Sequence, residues 1–422
     1  MTISIFTPVH KITPYLDALY DSIKAQDYDG PVEWVIVLNG ESRDHDFGDM
    51  FAMTAMMQHR GPVVCVIRTA ETGNIGYLKR LACNECNGEI LVEVDHDDYL
   101  APDALRLIAQ AFESPEVQFV YSNFREFLPD GSSNVYSPAY GWHSRELPGD
   151  GTEMIAFPPL PQYLRRIEWA PNHVRAFRAS TYREIGGYDA DLEVGDDHDL
   201  ICRFFLEFGQ RGFAHIDKCL YHYRVHDGNT SNGNNRNAAV QAQVDVNYCL
   251  YAERMAMRWA KDNSLHCLDL GGRFNSPPGY KSVDLLDADI TADLTKPWPF
   301  TTNSVGVLRA YHVLEHLPDT IHFMNEAFRV LAPGGFLLIE VPSTNHPAAF
   351  ADPTHVRFFN TLSFDYFTTE AKARYIRPQF QGRFQKSRVV EYAWPGGTLV
   401  VSAQMIALKG WYDMAWCGEK EI

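Results

Sequence analysis

No apolar run in this 422-residue chain approaches the roughly 18 residues of a membrane-spanning helix. The apolar opening Ile3-Ser4-Ile5-Phe6 lacks a basic lead and a small-residue cleavage site, so it reads as a first strand and not as a leader. Basic residues are in deficit, 37 against 54 acidic ones, for a net charge of -17. That balance disfavours non-specific binding to nucleic acid, whose affinity rests on phosphate neutralisation. Cysteine is sparse: there are eight, and the close pair Cys83 and Cys86 has no second pair to complete a zinc site. Reduced thiols and a cytoplasmic location are the expectation.

What is present is an ordinary globular composition, 45% hydrophobic and 22% charged, in a chain too long for one typical domain. Residues 1–122 alternate strand and helix: strands over 2–7, 32–38, 63–68, 89–94 and 117–122, with helices over 14–26, 75–87 and 102–113. Such alternation implies βαβ units and a largely parallel sheet. Segment 128–171, rich in proline, glycine and aromatics, reads as an ordered loop region over a site or as a flap. The polar stretch 227–237 marks a boundary, and helical periodicity follows over 238–261. A second α/β pattern starts at Leu265: strand, glycine turn, strand to Asp284, strand 305–309, helix 318–331, a Pro333-Gly334-Gly335 turn and strand 336–341. The expected organisation is an α/β fold of two domains, 1–230 and 264–422, joined by a polar linker and helix over 231–263.

Strand 89–94 runs into three close carboxylates, Asp95, Asp97 and Asp98. Their mutual repulsion calls for a cation, and oxygen ligands at a strand end suit Mg or Mn, ions that commonly accompany a phosphate-bearing substrate. An acidic turn capping the following helix is the competing explanation. Pro8, Asn39, Arg68 and Asn74 lie at or just beyond the ends of the neighbouring strands, where open α/β sheets bind ligands. Lys79 and Arg80 could meet a diphosphate or simply be solvated. Farther on, Gly186-Gly187-Tyr188-Asp189 precedes Gly195-Asp196-Asp197-His198-Asp199-Leu200, acids at a helix start that can either take a proton from a hydroxyl or cap the helix. His226 ends a strand beside this polar stretch and is a plausible ligand.

In order and spacing, Thr7-Pro8-Val9, Asn74-Ile75-Gly76, Asp95-His96-Asp97, Gly186-Gly187-Tyr188-Asp189 and Asp196-Asp197-His198-Asp199-Leu200 resemble the family-2 glycosyltransferases of the GT-A fold, over about 1–230. The resemblance implies Mn or Mg on Asp97 and His226, with Asp95 toward the nucleotide ribose or a metal-bound water. It implies a nucleotide-sugar donor contacted by Pro8, Asn39, Arg68, Asn74, Lys79, Asp95 and His96, and Asp197 as the base that activates an acceptor hydroxyl, with inversion at the sugar. Asn39-Gly40 replaces the family's usual Asp-Asp, which leaves the base of the nucleotide open, and Asp196 replaces its usual Glu.

Leu268-Asp269-Leu270-Gly271-Gly272, Tyr280 to Leu285, Ala292-Asp293-Leu294, Pro297 to Phe300, His312 to Leu317 and Arg329 to Gly335 are similar to the class I S-adenosylmethionine-dependent methyltransferases, over 264 to about 410. The likeness implies Gly271 under the methionine portion of S-adenosylmethionine, Asp284 on its ribose, and Asp293 with Leu294 at its adenine. Arg273 stands where that family usually has glycine and could crowd the cofactor. His312 and His316 would share a face if helical; a metal pair or a proton acceptor is conceivable, and His316 or His355 would suit O-methylation as a base, but packed or hydrogen-bonded histidines are the favoured explanation. The combined reading is an enzyme: a metal-dependent inverting glycosyltransferase acting on a glycan or other hydroxyl acceptor, fused to a methyltransferase that O-methylates the sugar or glycan. Alternatives are a degenerate methyltransferase-like docking module, a sugar-nucleotide sensor, and glycosylation of a modified DNA base as in some viral systems, which the acidic charge counts against. Donor sugar and oligomeric state stay open.

Overall fold

The computed structural model describes residues 1–44, 62–70, 72–138, 141–164, 170–229 and 236–410. Much of the polar stretch expected to separate the domains, 230–235, lies outside them. Two compact units emerge, one of Met1–Pro138 with Trp142–Ala252 and one from Glu253 onward. Both are α/β. Among the described residues no helix is long and apolar enough to cross a membrane.

The first unit is built on β1 (Ile3–Val9), β2 (Val32–Leu38), β3 (Val63–Arg68), β4 (Ile90–Glu93), β5 (Tyr99–Leu100) and β6 (Phe119–Phe127). To these are added β7 (Ser133–Asn134), β8 (Ser144–Leu147), β9 (Gly151–Met154), β10 (Arg175–Arg178) and β11 (Phe213–Arg224). The sheet runs β3-β2-β1-β4-β10-β6-β11-β5. Its β3-β2-β1-β4 half is parallel. The near-continuous apolar runs Ile-Ser-Ile-Phe and Trp-Val-Ile-Val-Leu are what two-sided burial under helices demands. The other half departs from the parallel expectation, because β10 is antiparallel to both β4 and β6. Segment 128–171 is not all loop: β8 and β9 form a hairpin, and Met154 of β9 pairs with Phe124 of β6.

The second unit carries β12 (His266–Leu270), β13 (Lys281–Asp284), β14 (Ile290–Thr291), β15 (Val305–Tyr311), β16 (Leu331–Pro342), β17 (Phe384–Ala393) and β18 (Leu399–Ala407). Their order is β14-β13-β12-β15-β16-β18-β17, so the sequence order reverses between β12 and β15 and makes a topological switch point there. The Pro333-Gly334-Gly335 segment, expected as a turn before a strand, is absorbed into β16; the register with β15 slips between Val305 and Val307 to accommodate it. The helix Asn237–Asp262 gives Val244 and Tyr248 to the core of the first unit and Met255 and Trp259 to that of the second.

One close approach sets the first unit's functional end. Gly76 opens the helix Ile75–Glu85 and donates its N–H to the Leu192 carbonyl at 3.1 Å, and a Cβ there would lie 2.2 Å from the Asp189 carbonyl oxygen. Both partners are backbone of the turn leading to Asp196, so neither yields cheaply. Gly76→Ala is expected to destabilise the first unit by about 1–3 kcal/mol, the usual cost of overpacking; an unchanged denaturation midpoint would show that this approach is not tight.

Candidate active site

Strand β4, buried throughout, ends on a carboxylate, Glu93, that is 1% exposed. Lys79 Nζ lies 2.8 Å and the Arg175 guanidinium 3.3 Å from its Oε1, and the Tyr188 hydroxyl donates to its Oε2 at 2.8 Å. Each cation passes the connection outward: Lys79 Nζ is 3.0 Å from Asp196 Oδ2, and Arg175 is 2.7 Å from Asp197 Oδ2. Both acids open the helix Asp196–Phe208, where the positive end of the helix dipole favours them. Asn247 donates to the carbonyl of Gly195, the left-handed residue (φ 69°) that starts that helix, at 2.9 Å and fixes where it begins.

Beside this network, the His226 imidazole Nε2 is 2.8 Å from Asp97 Oδ2. His226 Nδ1 accepts from the Gly228 N–H at 3.0 Å, which leaves the ring's proton on Nε2, facing Asp97. Asp98 takes the Tyr221 hydroxyl at 2.8 Å and the Arg224 N–H at 2.7 Å, and is fully buried, so it anchors the turn. A cleft of about 510 Å³ is lined by Pro8, Asp95, His96, Asp97, His173 and Asp197, among others.

Protonation follows from burial and charge. Burial first, then the charge of Glu93, pushes Asp95 up to about 7. Burial, with Asp197 adding to it, raises Asp196 to about 6 although Lys79 opposes. Burial works to raise Asp197 too, but the Arg175 charge, then Lys79, overrides it and holds the carboxyl below the ordinary range. Burial likewise opposes ionisation of Asp97, and the hydrogen bond from His226 outweighs it, leaving the carboxyl below its ordinary value. Burial and the neighbouring Arg175 push His173 down to about 3, so its 3.7 Å contact with Asp95 involves a neutral ring.

Several expected donor contacts are otherwise engaged. Asn39 is 1% exposed and its amide closes on the Thr72 backbone, donating to the carbonyl and accepting from the N–H, both at 2.9 Å. Asn74 caps its helix by accepting the Tyr77 N–H at 2.8 Å and donates to the Ala190 carbonyl at 2.6 Å. These two amides brace the loops beside the cleft. Lys79 is not a solvated cation: at 6% exposure it pairs with Glu93 and Asp196. Arg68 sits exposed at the end of β3, outside the cleft lining, and Asn39, Asn74 and His226 are outside it too. Glu93, Arg175 and His173 were not expected. Glu93 had a signal, a charge inside the apolar run Ile-Leu-Val-Glu-Val; Arg175 had none, because its partners are distant in sequence.

In the second unit Gly271 (φ 76°) closes the turn after β12, its N–H on the Val283 carbonyl at 2.7 Å. Asp284, half-buried at the end of β13, accepts the Leu285 N–H at 2.6 Å through one oxygen. Asp293 takes both the N–H and the hydroxyl of Thr295. The Leu294 side chain is 7% exposed and packs in the hydrophobic core. Arg273 turns toward Asp287, 3.5 Å away, with its side chain 46% exposed.

His312 and His316 do not share a helical face. His312 has φ 56° and faces two buried glutamates, Glu315 and Glu340, at 3.3 Å each. His316 instead meets Thr354 at 3.0 Å and the ring of His355, centroids 4.9 Å apart.

A family model described as Glycosyl transferase family 2 matches residues 4–178, and one described as Methyltransferase domain matches residues 251–339. The chain thus carries a region similar to each of these two domain families. It is 27% identical to the chondroitin synthase of Pasteurella multocida (strain Pm70) over 192 residues, 45% of this chain and 18% of that one. It is 28% identical to the hyaluronan synthase of Pasteurella multocida over 167 residues, 39% of this chain and 15% of that one. A probable S-adenosylmethionine-dependent methyltransferase of Mycolicibacterium smegmatis is 39% identical over 64 residues, 15% of this chain and 23% of that one. The chain spans less than a quarter of the length of these curated relatives. Among solved structures, S. aureus TarS 1-349 in complex with UDP-GlcNAc aligns with 63% of this chain and 72% of its own, at 15% identity and a TM-score of 0.44.

Two outcomes follow from these charges. Lys79→Met leaves Glu93 and Asp196 buried with reduced compensation, so urea denaturation should show a loss of roughly 3–5 kcal/mol; a loss below about 1 kcal/mol would mean the pair is not structural. Hydrogen bonds to Glu315 and then Glu340 raise His312 to about 9 from its ordinary 6.5. A raised value in the folded state means the contribution is full below pH 6.5 and is lost as pH climbs through about 9. Denaturation of wild type and His312→Asn at pH 6, 7.5 and 9.5 should give curves that converge at the alkaline end.

Proposed function

We propose that the first unit is an inverting, metal-dependent glycosyltransferase that moves a sugar from a nucleotide-sugar to an acceptor hydroxyl. The observation that carries this reading is the meeting of Asp95, Asp97 and Asp197 in one cleft, three acids in three different states of charge compensation. The donor set fits a divalent ion: Asp97 is held ionised, and an imidazole stands 2.8 Å from it. Asp97 and His226 would hold Mn or Mg, and the ion's chemistry there is to offset charge growing on the departing diphosphate. To ligate through Nε2, His226 would move its ring proton to Nδ1 and give up the bond it accepts from the Gly228 N–H. Asp95 and His96 face the donor, while Asp197, ionised and anchored by Arg175, accepts the proton of the attacking hydroxyl. Relatives named chondroitin synthase and hyaluronan synthase support a glycan acceptor.

The second unit, in this proposal, binds S-adenosylmethionine at the switch point between β12 and β15, with Gly271 under it and Asp284 on the ribose, and supplies a methyl group to a hydroxyl of the sugar or glycan. Asp284 keeps one carboxylate oxygen for that contact, and Arg273 has left the turn for Asp287. Asp293 would face the adenine. His316 and His355 are the groups able to take the hydroxyl proton.

Asp197→Asn is expected to lower kcat for sugar transfer by about 10²–10⁴ with donor KM little changed; retention of more than a tenth of the rate would remove Asp197 from the role. Product configuration read by NMR tests inversion directly. Calorimetric titration with S-adenosylhomocysteine should show binding that Asp284→Ala weakens at least tenfold. No heat in the wild type would leave the second unit as a docking module.

A further inference from the structure

We propose that the second unit holds a divalent transition ion on Glu315, His316 and His355. One potential ligand atom from each of the three lies within 4.8 Å of those of the other two. The two segments that carry them are tied together by the Glu315 carbonyl, which accepts the N–H of Val356 at 2.8 Å and that of Arg357 at 3.1 Å.

Hydrogen bonding settles which nitrogen each ring offers. His355 Nδ1 is 2.8 Å from the Ala349 carbonyl, which can only accept, so Nδ1 carries the proton and the Nε2 lone pair is free. The Thr354 hydroxyl gives its single hydrogen to Asp352 Oδ1 at 2.6 Å, so in its 3.0 Å contact with His316 it accepts from Nδ1. His316 is therefore also left with a bare Nε2. A ring that donates through one nitrogen to an acceptor and keeps the other unprotonated is the arrangement that orients histidine ligands in metal sites.

Glu315 supplies the anion. It is 2% exposed; its Oε1 faces His312 Nδ1 at 3.3 Å, and its Oε2 meets no donor. His312 is shared with Glu340, so one ring faces two buried carboxylates, and a cation on Oε2 would offset the remaining charge. Two imidazoles and one carboxylate suit Zn, Mn or Co, with further positions open to water or substrate. With an ion bound, this site replaces the base role given above to His316 and His355, because an imidazole Nε2 on a cation takes no proton; the base reading applies to the metal-free rings alone.

The test uses the full chain, stripped of metal by chelation and kept free of nucleotide, sugar and S-adenosylmethionine. It is titrated with Zn(II) by calorimetry and with Co(II) by visible absorption. Wild type should bind one equivalent that Asp97→Asn retains and that His316→Ala and His355→Ala each lose, together with the Co(II) band. His316 is exposed, so His316→Ala keeps the comparison meaningful if His355→Ala misfolds. Absence of that equivalent in wild type, or an unchanged stoichiometry and spectrum in the folded His316→Ala protein, overturns the site. Neither transfer reaction is measured, so that result would leave both transferase readings standing.

Discussion

The ion contacts of Glu93 hold the first cleft in shape. One carboxylate at the end of a buried strand grips two cations, and each cation reaches one of two adjacent acids on another helix. Remove the central anion and Lys79 and Arg175 each keep a single partner, in an interior where an under-compensated charge costs several kcal/mol. The helix Asp196–Phe208 is thus tied to β4 and β10 electrostatically as well as by packing. Local charges nevertheless do not balance: Glu93, Asp95, Asp196 and Asp197 face Lys79 and Arg175. The deficit shows where cations are farthest or shared, with Asp95 at about 7 and Asp196 at about 6. Near neutral pH this cleft is therefore short of positive charge, which is the charge the proposed metal ion would bring.

Much of the frame was legible from local pattern. Strand-helix alternation placed β1 to β4, β12, β13 and β15 to within a few residues because two-sided burial writes apolar runs into the chain; the two-residue β14 was not placed. The antiparallel insertion of β10 was not legible, since a four-residue strand, Arg-Ala-Phe-Arg, carries too little periodicity to announce itself. The turn residues of Pro333-Gly334-Gly335 misled for the opposite reason: turn chemistry also serves a strand irregularity, and which one occurs depends on the partner strand.

For the site, residue type was a better guide than residue role. Asp95, Asp97, Asp197 and His226 are all at one end of the first sheet, as their place at the ends of strands and the start of a helix implied. Asn39, Asn74 and Lys79 belong to that end too, but their side chains are spent on Thr72, Ala190, Glu93 and Asp196. A motif reports that a polar residue is required at a position, and bracing a loop requires it as strongly as touching a ligand does. Telling the two apart needs the partners, which lie as far along the chain as Asp196 is from Lys79, 117 residues.

The same distinction bears on Asp197 in its proposed role. Its Oδ2 receives Arg175 and its Oδ1 receives the His198 N–H at 2.7 Å, so both oxygens already accept a donor. Each oxygen retains a lone pair, which leaves room for one further hydroxyl on a carboxylate whose direction is fixed at both ends. Such an acid is a weak base. In displacement at an anomeric carbon the acceptor oxygen becomes acidic only as its bond to carbon forms, so a strong base is not needed before that point. What helps is an oriented anion that holds the hydroxyl in line and takes its proton late. Arg175 supplies the orientation at the expense of basicity, and a larger, uncoupled pKa on Asp197 would come with a carboxylate free to rotate away from the line of attack.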